Sequence, residues 1–264
     1  MLGLRNTSKR IVATLTFFTR LPLWRWVGVE AEHYRHVVPL WPLAGWFTGG
    51  VMVLVFWGAT SLGCPLSVGV VLTLASRVLL TGALHEDGLA DFCDGFGGGT
   101  GRERTLQIMK DSHIGTFGVL GLVGYSLLMW NVLVALMGRG TSPWVFLAVD
   151  ALSKYLASTI IYFLPYARPE SESKNRYTYS AATTTERLLS LLLGFLPLGI
   201  CLLAGLPSMP RWSSWASGLT ACFVLLFLLY RGMQRRIGGY TGDCCGATVL
   251  LTELTLYLTL LLVS

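Results

Sequence analysis

The chain has 264 residues, of which 53% are hydrophobic and 13% are charged, and its net charge is +6. An average soluble domain carries about 25% charged residues, so this chain has too few to cover the surface of a soluble globule. Composition therefore argues against a disordered chain, a soluble enzyme and a nucleic-acid-binding domain. What remains is a polytopic membrane protein.

Residues 1–36 precede the first long apolar segment. Their basic start, with Arg20 and Arg25 further along, predicts an interfacial amphipathic segment rather than a cleaved signal. A membrane-spanning helix needs about 20 mainly apolar residues. Seven segments meet this need, the sixth being the shortest: 38–60, 65–84, 115–138, 143–165, 188–207, 215–231 and 246–264. The predicted fold is an all-α membrane bundle, with residues 1–264 forming one domain.

Basic residues are distributed unevenly between the two sides of this bundle. Sixteen of the 20 lysines and arginines fall in the N-terminal segment and in the second, fourth and sixth connections, and two fall in the other connections. The positive-inside rule then places the N-terminus in the cytoplasm. The regions 85–114, 166–187 and 232–245 become cytoplasmic loops, and we expect them to form the functional site.

Four charged residues lie away from the ends of the predicted spans. Asp150 and Lys154 are spaced i, i+4 and can pair with each other, whereas Arg77 and Glu253 have no partner nearby in the sequence. Ionisable residues at membrane depth are candidates for a functional role, and a structural ion pair is the alternative for Asp150 and Lys154.

An acidic segment follows the second span. Asp87, Asp91 and Asp94 are spaced i, i+4, i+7, so they lie within about 60° of one another if the second span continues as a helix. Three carboxylates on one face repel each other and need a positive partner. Mg²⁺ suits them because it prefers oxygen ligands. A solvated acidic loop is the alternative interpretation.

A glycine run and basic residues come next along the chain. The backbone N–H groups of residues 97–101 and the side chains of Arg102, Arg104 and Lys110 could hold phosphate oxygens, although a flexible linker would have the same composition. His85 and His113 flank this block, and a histidine is more often structural than catalytic. Asp243 lies beside glycines in the sixth connection.

Clustered aspartates, exposed backbone and basic side chains suit phosphoryl transfer, in which metal ions neutralise phosphate oxygens. The order Asp91-x-x-Asp94-Gly95 is analogous to the opening of the CDP-alcohol phosphotransferase motif, but here the additional aspartate, Asp87, lies upstream. A CDP-alcohol phosphotransferase of lipid synthesis is therefore one alternative. A secondary transporter is another, and it would carry its acids near the bilayer midplane and often show an inverted repeat.

Three motifs together resemble those of the cobalamin synthase family, the adenosylcobinamide-GDP ribazoletransferases. They are His85-Glu86-Asp87-Gly88-Leu89-Ala90-Asp91-Phe92-Cys93-Asp94-Gly95, Met109-Lys110-Asp111-Ser112-x-Ile114-Gly115-x-x-Gly118 and Gly238-Gly239-x-Thr241-Gly242-Asp243-x-x-Gly246-Ala247. The stretches Phe18-Thr19-Arg20-Leu21-Pro22 and Pro39-Leu40-x-Pro42-Leu43-x-Gly45 are also similar. The segment 168–173 departs from the family, which more often has a glycine-rich continuation there.

The resemblance implies a Mg²⁺-dependent last step of cobalamin nucleotide-loop assembly in the inner membrane of a bacterium. α-Ribazole or its 5′-phosphate would attack the GDP-activated corrinoid, and GMP would leave. Membrane lipid would surround the protein, an oligomer is compatible with the sequence, and no nucleic acid is implied.

The resemblance and the residue types together give a candidate site. The expected metal ligands are Asp87, Asp91 and Asp94, and the expected catalytic residues are His85, Asp111 and Asp243. Which carboxylate accepts the hydroxyl proton depends on geometry. The expected substrate-binding residues are Glu86, Arg102, Arg104, Lys110, Ser112, Arg168 and Arg236.

Overall fold

The computed structural model describes residues 2–168 and 179–263, and their side chains from Thr7 onward. These residues form α-helices joined by short connections. The helices are α1 Leu2–Phe18, α2 Ala31–Tyr34, α3 Trp41–Ser61, α4 Leu66–Thr81, α5 Leu84–Gly98, α6 Arg102–Ile108, α7 Thr116–Gly138, α8 Trp144–Phe163, α9 Thr184–Leu203, α10 Trp212–Ile237 and α11 Gly242–Val263. One parallel bridge joins Tyr166 to Tyr240.

The membrane-spanning helices confirm the predicted fold class. In the described ranges, six helices are long and apolar enough to cross a membrane, and the bent pair of α4 and α5 raises the number to as many as seven. The sixth predicted span, 215–231, becomes the 26-residue helix α10. It is longer than predicted because polar residues at both ends, including Arg235 and Arg236, continue the helix beyond its apolar centre.

The acidic segment is on a helix of its own. A continuation of the second span through the aspartates is wrong, because α4 ends at Thr81 and the chain turns by 88° into α5. Gly82 and Ala83 both adopt left-handed backbone conformations, with φ of 65° and 59°. Glycine accepts such a φ without steric cost, so Gly82 supplies the break. Most of the region 85–114 is thus helical, and α5 keeps its three aspartates at helical spacing.

The centre of the bundle is the packing of α3 on α8. Gly45 and Gly49 lie one helical turn apart on α3 and face the backbone of α8. A Cβ atom added at Gly45 would lie 2.6 Å from the carbonyl oxygen of Asp150 and 2.7 Å from Cα of Ala151. Small residues at this spacing let two membrane helices approach closely, and close packing drives helix association in lipid.

Buried ion pairs join the spanning helices. Asp150 and Lys154 form the predicted pair on α8, and the hydroxyl of Thr48 donates a hydrogen bond to the same carboxylate. Arg77 has the partners that its own sequence neighbourhood did not show. Its guanidinium pairs with Glu253 of α11 and lies 3.1 Å from Glu86 of α5.

The substitution Gly45→Ala tests the α3–α8 contact. The added methyl group meets rigid backbone, so we expect a loss of about 1–3 kcal/mol of stability, as for overpacking of a tight core. The matched control is Gly50→Ala on the same helix, where an added Cβ meets open space. Thermal unfolding in detergent measures both, and equal melting temperatures for the two variants would contradict the assigned packing.

A second prediction concerns Arg77, whose side chain is 2% exposed. Arg77→Met leaves Glu253 buried and unpaired, which typically costs about 3–5 kcal/mol. The double variant Arg77→Met, Glu253→Leu removes both charges and should recover part of that stability. The measurement is the melting temperature of each purified variant. A double variant less stable than Arg77→Met would show that the pair is not the reason for the loss.

Candidate active site

The N-termini of α5 and α11 meet at two glycines. A Cβ atom added at Gly88 would lie 3.0 Å from the carbonyl oxygen of Asp243 and 3.3 Å from Cα of Gly246. The two backbones are therefore in near contact, and no side chain separates them. This approach brings Asp87 and Asp243, which are 156 positions apart in the sequence, to the wall of one cavity.

That cavity, which we call the aromatic cavity, has a volume of about 140 Å³. It lies at the end of the bundle where α3, α5 and α11 begin. Its lining combines aromatic and aliphatic side chains with a small number of charged groups: Phe17, Phe18, Trp41, Leu84, His85, Asp87, Tyr166, Arg168, Tyr179, Thr241, Gly242, Asp243, Cys245, Gly246 and Val249. An enclosed, largely apolar space with convergent polar groups is typical of a small-molecule site.

Three lining residues carry buried polar atoms without a hydrogen-bond partner. They are Nε2 of His85, Nε1 of Trp41 and Nε of Arg168. His85 is 2% exposed, and its ring stacks on Phe18 with centroids 5.7 Å apart. Buried polar groups are nearly always satisfied, so a ligand or water that enters this cavity would find three such groups to hydrogen-bond.

A second, wider cleft adjoins the aromatic cavity. It has a volume of about 580 Å³ and shares Phe17, Leu84 and Asp87 with the cavity. Arg20 also lines it, and we call it the Arg20 cleft. The Arg20 side chain packs against Gly82, and its backbone N–H donates to the carbonyl of Leu80 at 2.8 Å. The exposed carboxylate of Asp87 thus lies between the aromatic cavity and the Arg20 cleft.

Asp94 has a different environment from Asp87. Its carboxylate is 8% exposed and accepts hydrogen bonds from the backbone N–H groups of Gly115 at 2.7 Å and Gly118 at 2.8 Å. It therefore caps the N-terminus of α7 from another helix, where a negative charge is favourable. A side chain at Gly115 would collide with this carboxylate, which explains the glycines of the second motif. Asp91, half-buried, lies between Asp87 and Asp94 along α5.

Asp94 also borders a third space, an open cleft of about 390 Å³ that Arg104, Asp111 and His113 line as well. His113 donates to the Asp111 carboxylate from its backbone N–H at 3.0 Å, and its ring Nδ1 lies 2.8 Å away. These hydrogen bonds lower the pKa of the Asp111 carboxyl. Asp111 is exposed, and it does not line the aromatic cavity.

Apart from Arg168, which lines the aromatic cavity, the other predicted binding residues lie outside that cavity. Three arginines tie segments of the chain together through backbone carbonyls: Arg102 to Ala167 at 3.0 Å, Arg168 to Leu106 at 3.2 Å, and Arg236 to Phe96 at 3.0 Å. Glu86 pairs with Arg77, and Lys110 and Ser112 are exposed. Of the predicted departure at 168–173, only Arg168 lies within the described residues.

The residues fit a metal ion that a substrate helps to hold. The described residues contain no preformed group of three or more histidine, cysteine or carboxylate ligands. Mg²⁺ is usually bound through one or two carboxylates together with substrate phosphates, and it keeps several waters. Asp87 and Asp243 offer two carboxylates at one cavity, which matches that kind of site.

Several lining residues were absent from the predicted site. The aromatic wall of Phe17, Trp41 and Tyr179 comes from segments far apart in the sequence, and Arg20 comes from the N-terminal segment. The resemblance to the family extends to the segments that contain Arg20 and Trp41, but it assigns neither residue a role. It does not include Phe17 or Tyr179.

The fold and the cavity define a polytopic, all-α membrane protein with a carboxylate-bearing site at one end of its bundle. Comparison with known sequences gives its family. The model of the cobalamin-5-phosphate synthase family matches residues 10–261, and the chain belongs to that family. Like the relatives it matches, it is an enzyme.

Similar curated proteins cover the chain almost completely. Each is named adenosylcobinamide-GDP ribazoletransferase. The relative from Leptothrix cholodnii is 38% identical over 98% of this chain and 97% of its own. The one from Vibrio parahaemolyticus is 37% identical over 98% and 94%, and the one from Shewanella frigidimarina is 36% identical over 99% and 97%. No solved structure matches the chain.

The substitution Gly88→Ala tests whether the α5–α11 approach builds the site. The added Cβ must push α5 from the backbone of Asp243, so we expect a loss of activity of roughly tenfold or more, since small displacements of reacting groups are costly. The control is Gly232→Ala in α10, where the added Cβ meets open space. Turnover of folded protein is the measurement. Wild-type activity in Gly88→Ala would disprove the dependence on this approach.

Proposed function

We propose that this enzyme transfers a corrinoid phosphate from adenosylcobinamide-GDP to α-ribazole or its 5′-phosphate, with release of GMP. The observation that carries the proposal is the position of Asp87. Its carboxylate lies on the wall shared by the aromatic cavity and the Arg20 cleft. An acceptor in one space and a diphosphate in the other would meet beside this carboxylate. The names of the relatives support the same reaction.

The chemistry is a displacement at phosphorus. The ribose 3′-oxygen of the acceptor forms a bond to the phosphorus nearer the corrinoid, the bridging P–O bond breaks, and GMP leaves with the bridging oxygen. The hydroxyl proton passes to a carboxylate. Asp87 and Asp243 line the cavity where the hydroxyl would lie, which makes them better candidates for this role than Asp111.

The chain's own residues would mainly orient the reactants. Arg20, at the mouth of its cleft, would neutralise diphosphate oxygens, as arginine does at many phosphate sites. Whichever of Asp87 and Asp243 does not accept the hydroxyl proton would hold Mg²⁺ together with the substrate phosphates, and the ion would supply charge neutralisation there. The buried lining of the aromatic cavity would keep water away from the acceptor hydroxyl, and so limit hydrolysis of the donor.

We further propose a cytoplasmic site in the inner membrane of a bacterium. The sixteen-to-two distribution of basic residues supports this orientation. The N-terminal segment contributes Phe17, Phe18 and Arg20 to the site, so the end of α1 lies at the same end of the bundle as the site. Soluble nucleotide substrates would then approach from the cytoplasm.

The test is turnover by the purified protein in phospholipid nanodiscs. With adenosylcobinamide-GDP, α-ribazole and Mg²⁺ we expect release of GMP, which EDTA should abolish and added Mg²⁺ should restore. Replacing α-ribazole by its 5′-phosphate shows which acceptor is preferred. Release of CMP from a CDP-activated lipid, with no GMP from the corrinoid, would instead support the CDP-alcohol phosphotransferase.

The variants Asp87→Asn and Asp243→Asn test whether the reaction takes place at the aromatic cavity. Each removes a carboxylate from the cavity, and we expect activity to fall at least about 100-fold. Glu103→Gln is the control, because Glu103 is exposed on α6 and lines none of the three spaces. Asp94→Asn is less informative, since Asp94 also caps α7. Near-normal turnover in both cavity variants would overturn the assignment.

A further inference from the structure

We infer that the planar aromatic base of the acceptor nucleoside binds in the aromatic cavity, and that the donor's guanine binds elsewhere. The inference rests on the proposed function and adds to it the assignment of one substrate part to one space. The cavity has an aromatic wall and an acidic wall, and these match the apolar base and the reactive sugar of such a nucleoside.

The aromatic wall is continuous. Phe17 and Trp41 are nearly parallel, at 14°, with centroids 6.3 Å apart, and Tyr179 meets Trp41 edge-on at 6.0 Å. Phe18 contacts Trp41 edge-on at 5.3 Å and stacks on His85. Flat rings are the surface on which nucleobases stack, and each stacked base contributes about 1–3 kcal/mol to binding in other proteins.

The acidic wall lies where the sugar of such a nucleoside would be. Asp87 and Asp243 belong to the N-termini of α5 and α11, which the contact between Gly88 and Gly246 holds together. A base on the aromatic wall would thus place ribose hydroxyls toward carboxylates and toward the Arg20 cleft. The volume of about 140 Å³ is close to that of an engineered cavity of ~150 Å³ that binds benzene.

The polarity of the lining favours the acceptor's base over guanine. Guanine has hydrogen-bonding groups around most of its edge, and burying them without partners is costly. The cavity offers rings, Leu84 and Val249 for most of its surface. Three lining residues, His85, Trp41 and Arg168, each carry one buried polar atom without a hydrogen-bond partner. A benzimidazole-type base, with one ring nitrogen left free in its nucleoside, suits such a lining.

The experiment uses free benzimidazole as a probe of the wild-type enzyme in nanodiscs. We expect it to inhibit GMP release competitively against α-ribazole and non-competitively against adenosylcobinamide-GDP. Imidazole, which lacks the fused ring, should inhibit at least about tenfold more weakly, because it has less surface for stacking. Competition between benzimidazole and the donor would overturn the inference, and so would an active enzyme that benzimidazole does not inhibit.

Two variants test whether the aromatic wall binds the base of the acceptor. Phe17→Leu removes one ring of the wall, and we expect the KM for α-ribazole to rise about tenfold. The KM for the donor should rise much less, because Phe17 also borders the Arg20 cleft but offers no charge to a diphosphate there. The matched control is Phe223→Leu, a phenylalanine of α10 that is 60% exposed. An unchanged KM for α-ribazole in Phe17→Leu would contradict the inference.

A binding measurement tests the inference in a variant that has lost its activity. The variant Asp87→Asn should still bind benzimidazole in calorimetry with wild-type affinity, because it keeps the aromatic wall. If the wild-type enzyme releases no GMP, the proposed function fails. If it releases GMP but benzimidazole binds neither wild type nor Asp87→Asn, only the assignment of the base fails.

Discussion

The structure depends on the neutralisation of one buried cation. Arg77 lies inside the bundle with its side chain 2% exposed, where an unpaired charge would be very costly. Glu253 of α11, Glu86 of α5 and Tyr125 of α7 surround its guanidinium. The need to pair this charge therefore fixes α4, α5, α7 and α11 against one another. It also holds the bend after α4, because Arg77 and Glu86 lie on opposite sides of that bend.

The bend after α4 brings the acidic segment against α11 and to the aromatic cavity. If α4 continued without a break, its aspartates would run along one helix axis away from the bundle. With the turn at Gly82 and Ala83, α5 instead lies against α11 through Gly88 and Gly246. Asp94 then reaches the N-terminus of α7, and Asp87 remains exposed at the aromatic cavity. Of the carboxylates in one row, Asp94 thus takes part in packing and Asp87 lines the aromatic cavity.

Much of the fold could be predicted from hydropathy, because a membrane helix must satisfy its own backbone and be apolar over about 20 residues. Every predicted span overlaps an observed helix, and α5 keeps the predicted helical spacing of its aspartates. The contacts of the arginines could not be predicted in this way. Arg102, Arg168 and Arg236 are predicted to bind substrate, and in the structure each donates a hydrogen bond to a backbone carbonyl. Sequence cannot distinguish these two uses of an arginine, since both require the same side chain.

The sequence by itself determined the class of protein, the helices and the family, because these depend on composition, local periodicity and the order of motifs. The tertiary structure decided which charged groups meet. It paired Arg77 with Glu253 across 176 positions, and it joined Phe17, Trp41 and Asp243 in one cavity. Such meetings depend on the bend after α4 and on the closeness of glycine backbones. Neither is visible until the helices are packed in three dimensions.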